Sequence, residues 1–362
     1  MTETGKRPVL VTGGAGFIGS NIADRLAEEG HAVIVYDALS REGVERNLAW
    51  LRERHHDRIR PVIADVRDGD RLFRAVQEAG AVFHMAAQVA VTTSLADPRE
   101  DFDINLGGTF NLLDAVRVTG RRIPVVFAST NKVYGDLADL DFESTPQGYL
   151  PREANLRAHG IGEDRLLDFH TPYGCSKGGA DQYVLDYARS FGIRATVLRM
   201  SCIYGERQMG TEDQGWVAHF LIRVLEGAPI TLYGDGNQVR DILDVGNAVD
   251  AYLSAWNRID SVAGRAFNLG GGAGNAVSLR TLIAHIGDLL GTEPVVTFDD
   301  WRAGDQRYFV ADTRAASDAL QLAPPRPWRE GVARLAHWLA SERGIALDQG
   351  KVEPRIRQVS TS

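Results

Sequence analysis

Tyr173 and Lys177 stand four positions apart in the run Tyr-Gly-Cys-Ser-Lys, so on a helix the two side chains share one face. A phenol beside an ammonium is suited to taking the proton of a secondary alcohol while hydride leaves the same carbon, a reaction that needs a base near neutral pH. Free tyrosine, with a pKa of about 10, is too weak an acid for this, and bringing it to about 7 takes roughly 4 kcal/mol of preferential phenolate stabilisation. One neighbouring cation moves a pKa by about 1–3, so Lys177 alone is barely enough. A positive nicotinamide ring would add to it and tie the strength of the base to an oxidised cofactor. Ser129 and Thr130 end a β-branched run, and the Thr130 hydroxyl is the candidate hydrogen-bond partner of the reacting oxygen. A core tyrosine with a surface lysine is the plain alternative; the added hydroxyl weighs against it.

The second chemical feature is a run of glycines. Val9 to Gly19 reads Val-Leu-Val-Thr-Gly-Gly-Ala-Gly-Phe-Ile-Gly. Gly13 supplies a tight turn, Gly16 lets backbone N–H groups approach a pyrophosphate where Phe17 and Ile18 open a helix, and Gly19 lets that helix sit close to a sheet. Glycines alone are weak evidence. The strand before, the helix after and Asp37 at the end of the next β-branched run make the set specific. A carboxylate there accepts both ribose hydroxyls of an adenosine and repels a 2′-phosphate, so NAD is expected rather than NADP. Arg41 reads as an exposed loop residue.

These groups need a frame to hold them. Residues 9–12, 32–36, 60–64, 82–85 and 124–128 read as strands, alternating with helical stretches such as 18–29, 70–79 and 99–118. The alternation predicts an α/β fold, a Rossmann-type doubly wound parallel sheet with crossover helices on both faces. Residues 136–172 form a long polar insertion, of a length that tends to be functional or disordered. A helix over 173–190 and a strand over 194–199 then resume the pattern. The expected division is an NAD-binding domain over 1–200, a smaller C-terminal substrate-binding lobe over 201–345 with some segments returning to the core, and a tail over 346–362.

Composition narrows the partners. A chain of 362 residues with 44% apolar content can bury a large core, which excludes a disordered or fibrous class. The net charge of −8, with basic residues scattered among acids, gives no stripe for a phosphate backbone, and no nucleic acid is expected. Cys175 and Cys202 are the two cysteines and have no metal-ligand spacing, so no metal is expected and a reducing cytoplasm fits. Neither a secretory segment nor a run of about 18 apolar residues is present, so no membrane partner is expected.

The sequence resembles the extended short-chain dehydrogenase/reductase family of NAD-dependent epimerases and dehydratases, and within it the CDP-tyvelose (CDP-paratose) 2-epimerase subgroup. The resemblance runs nearly the whole length, from Gly13-Gly14-Ala15-Gly16 through His84-Met85-Ala86-Ala87-Gln88, Ser129-Thr130-Asn131-Lys132-Val133-Tyr134-Gly135 and Asp168 to Lys177, to Asp213-Gln214-Gly215-Trp216 and Gly304-Asp305-Gln306-Arg307. It implies Tyr173 as base, Lys177 as its partner and Thr130 as oxygen ligand. It also implies NAD contacts from Asp65, Val66, Ala86, Ala87, Gln88, Asn105 and Ser129. For Asp65, a helix N-cap there or at Asp68 is an equal alternative.

Sugar 4,6-dehydratases of that family carry an acid pair after the threonine, where this chain has Asn131 and Lys132. An amide exchanges no proton near neutral pH and a lysine is normally protonated, which removes the tools for elimination. The resemblance therefore implies epimerisation: NAD oxidises C2 of a nucleotide-linked sugar, the keto sugar turns, and reduction follows on the other face. Arg240 and Arg302 are implied at the diphosphate, with Thr93, Ser94, Asn131, Lys132, Gln214 and Trp216 around the sugar and base. Each has a plain alternative: pairing with acids for the arginines and Lys132, a helix cap for Thr93 and Ser94, a core anchor for Trp216. The runner-up is a C4 epimerase of a UDP- or TDP-sugar, and an NAD-sensing protein without turnover is the reading from another class. Relatives pair through two long helices per subunit, which implies a homodimer or homotetramer.

Overall fold

The computed structural model describes residues 7–302 and 304–346; the tail expected beyond Ala346 lies outside them. Seven strands form one parallel sheet: β1 (Val9–Thr12), β2 (Val33–Asp37), β3 (Ile59–Ile63), β4 (Ala81–His84), β5 (Val125–Thr130), β6 (Ala195–Met200) and β7 (Ala266–Leu269). Their order is β7-β6-β5-β4-β1-β2-β3, so it reverses between β1 and β4 and leaves a crevice at their carboxyl ends.

Helices cover both faces. Val9 and Val11 of β1 join a buried cluster with α1 (Phe17–Glu28), α2 (Val44–His55) and, from far along the chain, the helix Val245–Asn257. Leu10 points the other way, into a cluster with α3 (Gly69–Glu78), α4 (Gly108–Val118) and α5 (Thr171–Phe191). Burial on both faces is why these strands read as continuous apolar runs.

Two segments differ from expectation. The helix expected over 99–118 is broken: Pro98–Phe102 leads into a π-helical turn, Asp103–Gly107, before α4. That wider turn changes which side chains face inward, and both Asp101 and Asn105 are buried. The insertion, expected as a polar loop, carries an antiparallel hairpin, Phe142–Thr145 with Gly148–Pro151, and a short helix, Ala154–His159. The hairpin docks because Phe142 meets Tyr308 with rings 5.9 Å apart and the Tyr149 amide donates to Asn237 O at 2.9 Å.

Beyond residue 201 the chain serves both parts of the molecule. β7 extends the main sheet beside β6, while Cys202–Tyr204, Val239–Asp244, Ala276–Ser278 and Tyr308–Phe309 form a separate four-stranded sheet. Helices Trp216–Leu225, Leu279–Leu290 and Trp328–Glu342 close a third core over Phe220, Leu221, Ile283, Ile286, Leu335 and Leu339. No helix among the described residues is long and apolar enough to cross a membrane.

Candidate active site

The glycine turn lies at the switch point. Gly13 has φ +64°, and a Cβ on it would come within 2.6 Å of Ala86 N, so only glycine allows β1 and the chain leaving β4 to meet there. A Cβ at Gly19 would lie 2.1 Å from Gly13 O, which is why α1 can start so close beneath the turn. Gly14, to which the sequence reading gave no role, is as constrained: its Cβ would sit 2.7 Å from Val11 O. At Gly16 the closest atom is Gly13 O at 3.1 Å, and the residue caps α1 through its backbone, leaving Phe17 and Ile18 at the helix N-terminus. The Asp37 carboxylate is fixed by the Ala15 and Leu39 amides, each at 2.9 Å. A glycine cradle, a helix N-terminus and an anchored carboxylate on one crevice fit a dinucleotide.

Other residues expected around the cofactor are engaged by the protein. Asp65 pairs with Arg67 through both oxygens, at 3.0 and 2.7 Å, and this pairing holds its carboxyl below the usual range. The cap of α3 is Asp68, which accepts from Arg71 N at 3.0 Å. Val66 is buried, and its carbonyl accepts from Asn111 at 3.1 Å. Ser129 donates to Asp181 at 2.8 Å. Asn105 joins the Gln88 backbone through both ends of its amide, at 2.9 and 3.1 Å. Ala86 and Ala87 line the chain just after β4.

Thr130, at the end of β5, and Tyr173 and Lys177, in the first turns of α5, are brought together. All three are buried. Lys177 Nζ donates to Ala128 O at 2.6 Å and stands 4.3 Å from the centre of the Phe127 ring. Burial pushes the Tyr173 phenol up to about 12, with a hydrogen bond to Thr130 opposing and the Asp101 charge adding. Burial takes Lys177 down to about 7, against the pull of Asp181 and Asp101. The chain's own residues thus favour the proton on Tyr173, because desolvation of the phenol outweighs the other influences on it; the expected lowering drew on a positive nicotinamide as well as on Lys177.

The residues expected around the substrate form two groups. Asn131, Lys132 and Arg240 meet through one loop. Asn131 donates to Gln306 Oε1 at 3.2 Å, Lys132 to Gly304 O at 3.0 Å, and Arg240 to Asp305 at 2.7 Å and Gln306 O at 2.6 Å. Arg302 lies 3.8 Å from the Tyr233 ring and pairs with Asp213 at 3.3 Å. Gln214 pairs through its backbone with Thr211, and Trp216 opens its helix half-buried, with its indole N–H directed to Cys202 at 3.3 Å. Ser94 is buried and accepts from Tyr173 N at 3.2 Å, so it holds the start of α5. Thr93 is exposed; its neighbour Thr92 instead has a buried hydroxyl without a hydrogen-bond partner. No cluster of three or more potential metal ligands occurs among the described residues.

Residues 9–270 match the model of the NAD-dependent epimerase/dehydratase family. The chain belongs to this family. A CDP-paratose 2-epimerase from Salmonella typhi is 40% identical to it over 340 residues, 92% of this chain and 99% of that protein. The solved UDP-glucose 4-epimerase of Thermotoga maritima, with UDP-glucose, superposes at a TM-score of 0.78 with 30% identity, covering 93% of this chain and 99% of the other. The Thermus thermophilus UDP-glucose 4-epimerase, in complex with NAD, gives 0.77 and 32%, covering 94% and 100%. The cofactor of this family member is NAD.

Sequence reasoning missed several residues that brace the site. Asn47 donates to the Ala15 carbonyl at 3.1 Å from a helix that carried no motif. Gln306, fully buried, ties the Asn131 amide to Gly135 O, to which it donates at 2.6 Å; its place in the run Gly-Asp-Gln-Arg was the available signal. Asp101 and Ser176, the latter on α5 between Tyr173 and Lys177, form a buried pair.

Proposed function

We propose that this family member is a nucleotide-sugar epimerase that inverts C2 of a CDP-sugar, of the CDP-paratose to CDP-tyvelose kind. The observation that carries the reading is the pair after Thr130. The Asn131 amide and the Lys132 ammonium both donate to the 304–306 loop, so neither is placed as an acid for eliminating a hydroxyl. What remains beside Thr130 is Tyr173 and Lys177, enough to move one proton on and off one oxygen. When bound, NAD supplies the hydride acceptor and a positive charge beside the pair. Thr130 orients the sugar hydroxyl, Tyr173 takes its proton and later returns it, and Lys177 steadies the phenolate. The 40% likeness to a CDP-paratose 2-epimerase supports the choice of carbon and base.

The same reading assigns the diphosphate to Arg302 and Arg240, the sugar to Thr93, Ser94, Asn131 and Lys132, and the base pocket to Gln214 and Trp216. Arg302 is the more open of the two arginines, with 27% of its side chain exposed against 9%. A C4 epimerase of a UDP-sugar is the second reading, favoured by the likeness to the Thermotoga maritima enzyme solved with UDP-glucose. A homodimer belongs to the proposal as well: Phe102, Phe110, Val118, Tyr183 and Phe191 are exposed on α4, α5 and the helix before them, an apolar face that a second copy would cover.

A thermal-shift panel of CDP-, UDP-, TDP- and GDP-sugars on the NAD-loaded protein tests the base, because a ligand bound by the folded state alone raises Tm. The largest rise is expected with CDP-sugars; a larger one with a UDP-sugar would replace this reading by the second.

A further inference from the structure

Asp101 is 1% exposed and faces α5 from the helix Pro98–Phe102. Its donors are all neutral: Gln88 Nε2 at 3.0 Å and Asn105 Nδ2 at 3.1 Å reach Oδ1, and the Ser176 hydroxyl reaches Oδ2. Ser176 stands between Tyr173 and Lys177 on α5, and its hydroxyl also lies 3.2 Å from Tyr173 O. Every element around the catalytic pair contributes a group. From β5 come Ala128 O, the Phe127 ring and Thr130. From β4 comes His84, which burial and Lys177 hold neutral. From α5 comes Asp181, whose two oxygens are bound by Arg199 at 2.9 and 3.0 Å and whose charge also pulls on Lys177. Asp101 has no ion-pair partner among the described residues; burial pushes its carboxyl up, while its hydrogen bonds and the Lys177 charge pull it down.

We propose that Asp101 is a positioning residue whose buried charge neutralises Lys177 and keeps Tyr173 protonated until positive charge is added beside the pair. The inference rests on the redox reading above and deepens it, since it makes the base dependent on oxidised cofactor. A negative charge holds protons on both neighbours, and one such charge moves a pKa by about 1–3.

The test is Asp101→Asn, which keeps the shape and the hydrogen bonds. The new carbonyl still accepts from Gln88 and Asn105, and the new amide donates to Ser176, whose own proton can turn to Tyr173 O. Tyr173 is titrated in the NAD-loaded protein by phenolate difference absorption, with Tyr173→Phe as the blank. The midpoint is expected to move about 1 pH unit or more toward acid, while Ser176→Ala, which keeps the charge and breaks the hydrogen bond, leaves it in place. An unmoved midpoint in Asp101→Asn would overturn the proposal. Should that variant not fold, the reciprocal Lys177→Met serves: the Asp101 carboxyl, followed by carbon NMR, must then titrate at higher pH, and no change overturns the proposal equally. Neither readout needs turnover, so a moved midpoint in a protein inactive on every nucleotide sugar would refute the epimerase reading and leave Asp101 standing.

Discussion

Lys177 donates to the carbonyl of Ala128 at 2.6 Å, which pins its ammonium against β5 while Tyr173, one turn earlier on α5, meets Thr130. In the proposed mechanism the lysine acts on the phenol through space, as a held charge. Lys177→Met and Tyr173→Phe should each lower kcat by about 10²–10⁴-fold, the usual worth of a positioned acid–base group. Steady-state kinetics on folded variants check this, and activity within tenfold of wild type in Tyr173→Phe would remove it from the role of base.

The glycines separate packing from binding. Gly19→Ala places a methyl 2.1 Å from Gly13 O and should cost about 1–3 kcal/mol or more as an overpacked contact. Gly16→Ala meets its closest atom at 3.1 Å, so it should keep more of its Tm and lose NAD affinity instead. Thermal melts and NAD titration of the two variants side by side distinguish the effects.

Arg199 and Asp181 form an ion pair with side chains 5% and 0% exposed. Arg199→Met leaves a buried carboxylate without its cation and should cost about 3–5 kcal/mol in denaturant unfolding. Adding Asp181→Asn should recover part of the loss, because the unpaired charge is the main penalty. A double variant no more stable than the single one would contradict this.

His84 is wedged between Thr12, at 2.6 Å, and Thr109, at 3.1 Å. Burial first, and Lys177 second, take its pKa down to about 3, against about 6.5 in the unfolded chain. The unfolded state thus binds the proton more readily, so this contribution to stability is whole above about pH 6.5 and is lost as pH falls from there toward 3. The urea midpoint should drop across that window, and less steeply in His84→Gln; parallel curves for the two proteins would show that His84 is not the cause.

Much of this was legible in the sequence for physical reasons. β1 is found at the expected residues, 9–12, because a strand covered on both faces must be apolar throughout. Tyr173 and Lys177 are readable because helical spacing alone places them together. Asp101 was not, and Asn105 entered only through the family resemblance, since the π-helical turn at Asp103–Gly107 alters the period on which such a reading depends. The links from Asn131, Lys132 and Arg240 to the 304–306 loop join positions more than sixty residues apart, and local patterning carries no trace of them. The desolvation of Tyr173 was not legible for a similar reason: its cost depends on walls that the chain supplies from elsewhere.

The central claim is hydride removal and return at C2. NAD-loaded protein is incubated with CDP-paratose carrying deuterium at C2, and the product is followed by NMR. The account predicts CDP-tyvelose with inverted C2 and the deuterium retained there, because the same hydride comes back. An unchanged C2, or inversion with the label lost to water, would contradict it.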